Sequence, residues 1–374
     1  MINSLKTTLS RNITNARGWK TNRKIVVIES DDWGSIRMPS KEAFKTLLQR
    51  GIRVDNCHYC SNDSLETEKD LSLLFEVLNS VKDKFNKPAI FTANTLVANP
   101  DYEKIRENDF NKYHYIKIDE GFKSIKGSEN ILDLYSEGQD AGCFKIQSHG
   151  REHLNVLRWM KVLKQNSIET RLAFNLGVYG LSTTITSESR KSFLPAFDFT
   201  NHEEEMFANE VVKDGLQIFK DIFGFESKSF IAPNYTWGKS LENSIQKSGV
   251  SFIQGGKIHR YTEGNGFKSK KRLRYIGKTN AQNQIDLARN AMFEPSENPN
   301  KDWVNSCLAD AKLAFLWKKP AIICSHRVNF MGGLNEKNRD VNLKQLKELL
   351  VQIKNRWPEV EFMSSDQLGD LIKR

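Results

Sequence analysis

The stretch Lys24 to Ser35, KIVVIESDDWGS, constrains the fold more than any other part of the chain. Ile25, Val26, Val27 and Ile28 are four apolar β-formers in a row, the pattern of a strand covered on both faces. Such strands belong to parallel sheets enclosed by helices. The run then breaks into Glu29, Ser30, Asp31, Asp32, Trp33 and Gly34. Three carboxylates on one strand end resist ionising together, so a positive charge is expected among them, a metal ion being the natural candidate. The competing reading is a solvated acidic turn, with Ser40 or Asp32 capping the next helix.

Further along, strand-like runs alternate with helical stretches. Strands are expected at Ala89 to Thr92, Cys143 to Gln147, Ser229 to Ala232, Ser251 to Gln254, Arg272 to Ile276, Ala321 to Cys324 and Val360 to Met363. Helical patterns include Lys41 to Gln49, Asp70 to Val81, Leu154 to Asn175, Glu203 to Phe223, Trp303 to Trp317 and Leu343 to Arg356. About eight strands in such alternation predict an α/β fold, a parallel sheet closing into a barrel. Asp101 to Gly121 reads as loop, and Gly177 to Thr200 as a long connector of the kind that forms lids. Asp31, Asp32, His149, Asn234, His326 and Asp366 all fall at or just past strand C-termini, the face that carries chemistry in parallel barrels.

Composition narrows the setting. The chain has 374 residues, 39% hydrophobic and 27% charged, and no run near the roughly 18 apolar residues of a membrane span. Residues 1–22 form a basic segment without an apolar signal core; Leu5, Leu9 and Ile13 fit a surface helix with weak affinity for an anionic membrane. Residues 23–374 are expected to be a single catalytic domain. Five cysteines make no disulfide framework, and Cys57 and Cys60 lack the second pair of a structural zinc site. These features point to a cytoplasmic protein, at most peripheral to a membrane. The net charge of +10 is dispersed and accompanies no nucleic-acid-binding pattern, so no nucleic acid partner is expected, while an anionic substrate stays open.

His149-Gly150-Arg151-Glu152-His153 sets two imidazoles at i and i+4, one face of a helical turn, where they can grip a metal. The preceding strand delivers His149 to the same face as Asp32. One carboxylate and two imidazoles leave positions open for water and substrate. The same letters spell the inverted zinc-protease motif, but that motif needs a continuous helix, which Gly150 weakens. His326 ends an apolar strand and is a natural general acid. His58, His114, His202 and His259 fit no comparable placement and read as structural or exposed.

Four segments, SDD at Ser30 to Asp32, HGREH at His149 to His153, APNY at Ala232 to Tyr235 and IICSH at Ile322 to His326, resemble in order the motifs of the polysaccharide deacetylases, the NodB-homology carbohydrate esterases. The resemblance spans about Arg23 to Leu371. It implies a distorted (β/α)7 barrel and a divalent metal, usually zinc. It assigns Asp31 as base, Asp32, His149 and His153 as metal ligands, and His326 as acid. Several positions depart from the pattern. Glu29-Ser30 replaces Thr-Phe, Trp33 stands where Gly is usual, and the arginine of the third motif would fall at Ile231. Asp302-Trp303 is a stand-in for the acidic-aromatic fourth motif, unless it merely starts a helix.

The chemistry implied is removal of an acetyl or formyl group from an N-acylated sugar, nucleotide-linked, lipid-linked or in an oligosaccharide. A backbone N–H near Asn234 would hold the oxyanion. Trp33, Asn234, Tyr235 and Trp237 are the expected substrate contacts. Two rivals remain: a carbohydrate-binding pseudoenzyme, favoured by the missing arginine, and a glycoside hydrolase using Asp31 with Glu29 or Asp366.

Overall fold

The computed structural model describes residue 12, residues 14–263 and residues 268–374. Most of the basic segment, residues 1–11 and 13, therefore lies outside the described residues, and with it most of the expected surface helix. Among the described residues no helix is long and apolar enough to cross a membrane.

Seven parallel strands form the barrel: β1 Ile25–Trp33, β2 Phe91–Leu96, β3 Phe144–Gly150, β4 Ser229–Phe230, β5 Phe252–Gly255, β6 Ile285–Ala288 and β7 Ala321–His326. β1 pairs with β2 on one side and β7 on the other, and β2 through β6 follow in sequence order. Closure is made by β6. Its first part pairs with β5, and its continuation Ala291–Met292 pairs with β7. The result is a parallel (β/α)7-type barrel. Its distortion is visible at β1, where Glu361–Phe362 pairs with Ile25 and Val26, below the point at which β2 joins.

β1 is buried along its whole length, as its apolar run requires. Val26 and Ile28 pack outward with Phe91, Ile323 and the surrounding helices, whereas Ile25 and Val27 join a second cluster with Phe252, Leu287, Ile322 and Leu368. Leu368 comes from the last helix, Ser365–Lys373, which contacts β1, β5 and β6. Ser40 caps the helix Lys41–Gln49.

Strand reading went astray where charge entered or left the barrel wall. Arg272 to Ile276 is not a barrel strand; Lys268–Leu273 pairs antiparallel with Ile258–Glu263 in a separate hairpin. Its cationic run cannot be buried on two faces. The strand that closes the barrel, IDLARNAM from Ile285, was hidden because Asp286, Arg289 and Asn290 interrupt its apolar run. Asp286 is tolerated there because Arg274 pairs with it at 2.8 Å, both side chains being buried. Leu154 to Asn175 is two helices, Val156–Lys164 and Ile168–Asn175, and the supposed loop after Asp101 contains helix Tyr102–Glu107 and strand Tyr115–Lys117. Gly177 to Thr200 has no regular element, but Tyr179, Phe193 and Phe197 are buried and pin it.

Trp33, expected to face substrate, is fully buried in the outer core, edge-on to Phe144 at 5.1 Å, with its indole N–H donating to Ser30 Oγ. Trp33→Ala is expected to lower the unfolding free energy by about 3–5 kcal/mol in chemical denaturation. A residue serving only to stack on a ligand would leave that transition nearly unmoved.

Candidate active site

Neighbouring residues of a regular strand point to opposite faces. At the end of β1 the pairing with β2 slips between Ser30 and Trp33, and Asp32 takes a φ of 75°. This bulge brings both Asp31 and Asp32 to one cavity of about 330 Å³, which His149, His153 and His326 also line.

The two imidazoles of the first cluster do not share a helix. His149 is the penultimate residue of β3, Gly150 ends the strand and turns the chain at a φ of 107°, and the next helix begins only at Val156. A Cβ on Gly150 would also lie 3.2 Å from the Phe197 ring, so the position suits glycine alone. The turn brings His153 back beside His149. Their Nε2 atoms lie 3.6 and 3.2 Å from Asp32 Oδ1. The zinc-protease geometry, which needs both residues on one helix, is absent.

The donor set suits a divalent cation. His149 Nδ1 lies 2.9 Å from the carbonyl of Ile231, an acceptor only, so Nδ1 carries the proton of the neutral ring. Nε2 then turns a lone pair toward a carboxylate oxygen, an arrangement that calls for a cation between them. Burial lowers His153 to about 4, leaving it neutral near pH 7, and its Nδ1 is buried without a partner. Burial would raise Asp32, but the neighbouring imidazoles outweigh it and hold its carboxyl well below the usual range. An ionised carboxylate and two imidazoles form a three-ligand set that leaves further positions open.

Asp31 sits beside this cluster with different partners. Arg289 of the β6 crossing grips it twice, Nη2 to Oδ1 at 2.6 Å and Nη1 to Oδ2 at 2.8 Å, and donates through Nε to Glu29 at 2.6 Å. Asn94 adds a bond to Asp31 Oδ1 at 2.7 Å. Burial would push Asp31 up, yet the charge and hydrogen bonds of Arg289 hold it down at about 2. Glu29, with one contact to the guanidinium and complete burial, is pushed up. The arginine missing at Ile231 is thus replaced from another strand. Its signal in the sequence was a lone cation in a segment to which the apolar pattern assigns no strand.

His326 faces Asp31 from β7, with which β1 is in register at this level. Its Nε2 is 3.7 Å from Asp31 Oδ2, and its Nδ1 is 2.6 Å from Glu294 Oε1. Burial disfavours the imidazolium, but Glu294 and then Asp31 raise His326 well above 6.5. The acidic partner is therefore Glu294. Asp302 is exposed and caps the helix Trp303–Leu316 by accepting from Asn305.

Asn234 and Tyr235 line the cavity, both at positive φ, and the Tyr235 hydroxyl accepts from Arg289 Nη1 at 2.9 Å. The Tyr235 amide is taken by the carbonyl of Ala232, which leaves it unavailable to an oxyanion. Trp237 is buried and stacked on His259 at 3.4 Å, so neither tryptophan lines the cavity. Tyr59 lines it instead, edge-on to His326 at 5.6 Å, with His58 beside it. His58 reads in the sequence as structural or exposed; its short helix, His58–Asn62, is not visible in the periodicity. Neither Glu29 nor Asp366 reaches the cavity: Glu29 is held by Arg289 and Ser365, and Asp366 accepts from Ser364. The carboxylate pairs of the glycoside hydrolase reading are not assembled.

No family model matches the chain, and no curated protein matches it in sequence. Among solved structures it is similar to a protein assigned as a polysaccharide deacetylase in Mycobacterium smegmatis, at 10% identity over 96% of this chain and 93% of that one, with a TM-score of 0.41. A protein assigned as a glycoside hydrolase/deacetylase in Parabacteroides distasonis gives 8% identity, 94% and 72% coverage and a TM-score of 0.48. A CE4 family pseudoenzyme from Bacillus anthracis gives 10%, 93% and 66%, and 0.38. Likenesses this distant say nothing of chemistry.

Removing the guanidinium strands two buried carboxylates. Arg289→Met is expected to destabilise the fold by about 3–5 kcal/mol and to raise Asp31 toward the ordinary carboxylate range. Chemical denaturation near pH 7 checks the first; for the second, the loss of stability that Asp31 contributes as pH falls from about 4 to about 2 should flatten in the variant, read from the pH dependence of unfolding.

Proposed function

We propose that the chain is a divergent polysaccharide-deacetylase-type hydrolase that removes an acetyl or formyl group from the nitrogen of a sugar. The observation that supports it best is one cavity holding Asp31 between Arg289 and His326, directly beside the Asp32, His149 and His153 cluster. A divalent cation held by Asp32, His149 and His153, zinc being the best match to such a donor set, would polarise the amide carbonyl and acidify water at the site.

The protein groups divide the remaining work. Asp31, ionised at every working pH, accepts the proton of the attacking water, and Arg289 and Asn94 fix the direction of its oxygens. His326, carrying a proton under neutral conditions, donates from Nε2 to the departing nitrogen, while Glu294 holds Nδ1. The amide of Asn234, a residue that lines the cavity, would help hold the oxyanion, and Tyr235 and Tyr59 would form the wall that meets the sugar. Arg289 removes the main argument for a pseudoenzyme, since Asp31 keeps a guanidinium partner.

The purified protein supplied with zinc should hold about one equivalent and release acetate or formate from N-acylated sugars. Asp31→Asn should lower kcat by about 10²–10⁴ while the metal stays bound by elemental analysis. Failure of the wild-type protein to retain any divalent ion would sink the reading.

The protonation of His326 gives a second test. Because Glu294 raises His326, the rate should fall only as pH climbs through that raised value. Glu294→Gln removes the supporting charge, so the alkaline limb of kcat/KM should move to lower pH. An unmoved limb would exclude His326 as the acid.

A further inference from the structure

Among the described residues six arginines are more than nine-tenths buried: Arg37, Arg151, Arg274, Arg289, Arg327 and Arg339. Five of them bond a carboxylate. Arg151 pairs with Glu152, Arg274 with Asp286, Arg289 with Asp31, Arg327 with Asp63 and Arg339 with Asp70. This follows from the cost of burying an unpaired charge, several kcal/mol even after relaxation, roughly speaking. Arg37 is the exception. It is 5% exposed and makes no ion pair or hydrogen bond with the described residues, and its Nε is buried without a partner.

Arg37 is also the only one of the six that lines the catalytic cavity itself. Its guanidinium lies over the Tyr59 ring at 5.2 Å, which fixes its plane and leaves its N–H edge uncommitted. A Cβ on Gly180 would come within 3.2 Å of Nε, so the pinned stretch after Gly177 closes over the stem. The nearby charges do not satisfy it. Asp32 is engaged by two imidazoles. The Cys57 thiol is drawn down to about 6 by a hydrogen bond from Cys60 and by Arg37 itself. A thiolate there is a partial counter-charge, yet it leaves the guanidinium donors unused.

We propose that Arg37 receives an oxyanion carried by the substrate, a carboxylate or a phosphate, so that the site acts on acidic N-acyl sugars. A fixed guanidinium with a free edge matches either group through two parallel hydrogen bonds. The surroundings agree. A second cavity of about 510 Å³ begins on the same two loops, at Pro195 after Leu194 and at Thr236 beyond Asn234. Arg158, Arg190, Lys191 and Arg260 line it against one carboxylate, Asp198. An extended substrate leaving the catalytic cavity in that direction meets further positive charge.

This inference rests on the sugar-hydrolase reading for the identity of the ligand, and binding rather than turnover tests it. The probes are N-acetylglucosamine, its 1-phosphate and N-acetylglucosaminuronate, titrated calorimetrically into zinc-loaded wild type, Arg37→Gln and Arg37→Lys. Wild type should bind at least one acidic probe about 10–100-fold more tightly than the neutral one. In Arg37→Gln that gap should shrink to less than about threefold, and Arg37→Lys should restore part of it. A metal would attract an anion in all three proteins, so the part of the gap that depends on Arg37 is the readout. The acidic probe that shows the gap identifies its source as carboxylate or phosphate. Equal wild-type binding of neutral and acidic probes overturns the proposal, as does a gap that survives in Arg37→Gln. If the glutamine variant does not fold, the wild-type gap and its reduction in Arg37→Lys decide the matter. A gap without hydrolysis of any probe would leave Arg37 in this role and remove only the deacylase reading.

Discussion

The guanidinium of Arg289 joins the parts of the barrel that chemistry and stability both need. It reaches from the closing strand across the interior to two carboxylates of β1, bidentate on Asp31 and through Nε on Glu29. In a buried setting neither acid tolerates ionisation alone, and neither does the arginine. The contact therefore ties the closing segment of the barrel to its first strand. Around it lies a hydrogen-bonded layer: Asn94 donates to Asp31 and to Gln254, and Gln254 donates to Ser229, whose hydroxyl donates to Gln147. Five strands, β1 to β5, are linked below the cavity by these polar groups, with Asn94 Oδ1 alone among the linking atoms left buried without a partner. The apolar cluster with Leu368 lies beneath that layer, and the catalytic groups lie above.

The second constraint is local and lies in β1. A straight strand would have sent Asp31 and Asp32 to opposite faces, one of them into the helical shell. The bulge at Asp32 places them side by side at the price of an aspartate in a left-handed conformation. Aspartate tolerates that region better than most residues. The register between β1 and β7 is regular up to Asp31 and His326, so the irregularity is confined to the edge facing β2. Disturbance on one side of the strand thus leaves His326 on the other side where β7 puts it.

Much of this was legible in the sequence, and what was not has a physical reason. Apolar runs ending in Asp, His or Asn marked β1, β3, β4 and β7, because burial on both faces leaves that imprint and a strand end releases it. β6 left no such imprint, since Asp286 and Arg289 sit in a strand made tolerable only by partners far away in sequence. Glu294 and Tyr59 were invisible for the same reason: pairing with His326 depends on tertiary register, not on spacing. Trp33 and Trp237 looked like sugar-stacking groups because residue type is legible and side-chain direction is not. Trp33 follows the bulge, which turned it into the outer core with Phe144 and Tyr135. The i, i+4 histidines converge without the helix that their spacing implied, through a turn that only Gly150 permits.

The adjacent carboxylates are not interchangeable, and the difference lies in their partners. Asp31 is compensated by a permanent cation and held at about 2, whereas Asp32 faces imidazoles that leave it to be compensated by whatever they bind. A base as weak as Asp31 takes a proton readily only from a donor that has itself been made acidic. A cation held by the cluster at Asp32 would make water so. In the proposed reaction the pair would divide the labour: Asp32 would anchor the charge that acidifies, and Asp31 would be kept ionised and aimed. Exchanging their surroundings would leave Asp31 without its fixed orientation and Asp32 with a guanidinium that repels any cation. Arg289 and the imidazoles of His149 and His153 accordingly approach the same strand end from different strands, Arg289 bonding Asp31 and the two imidazoles facing Asp32.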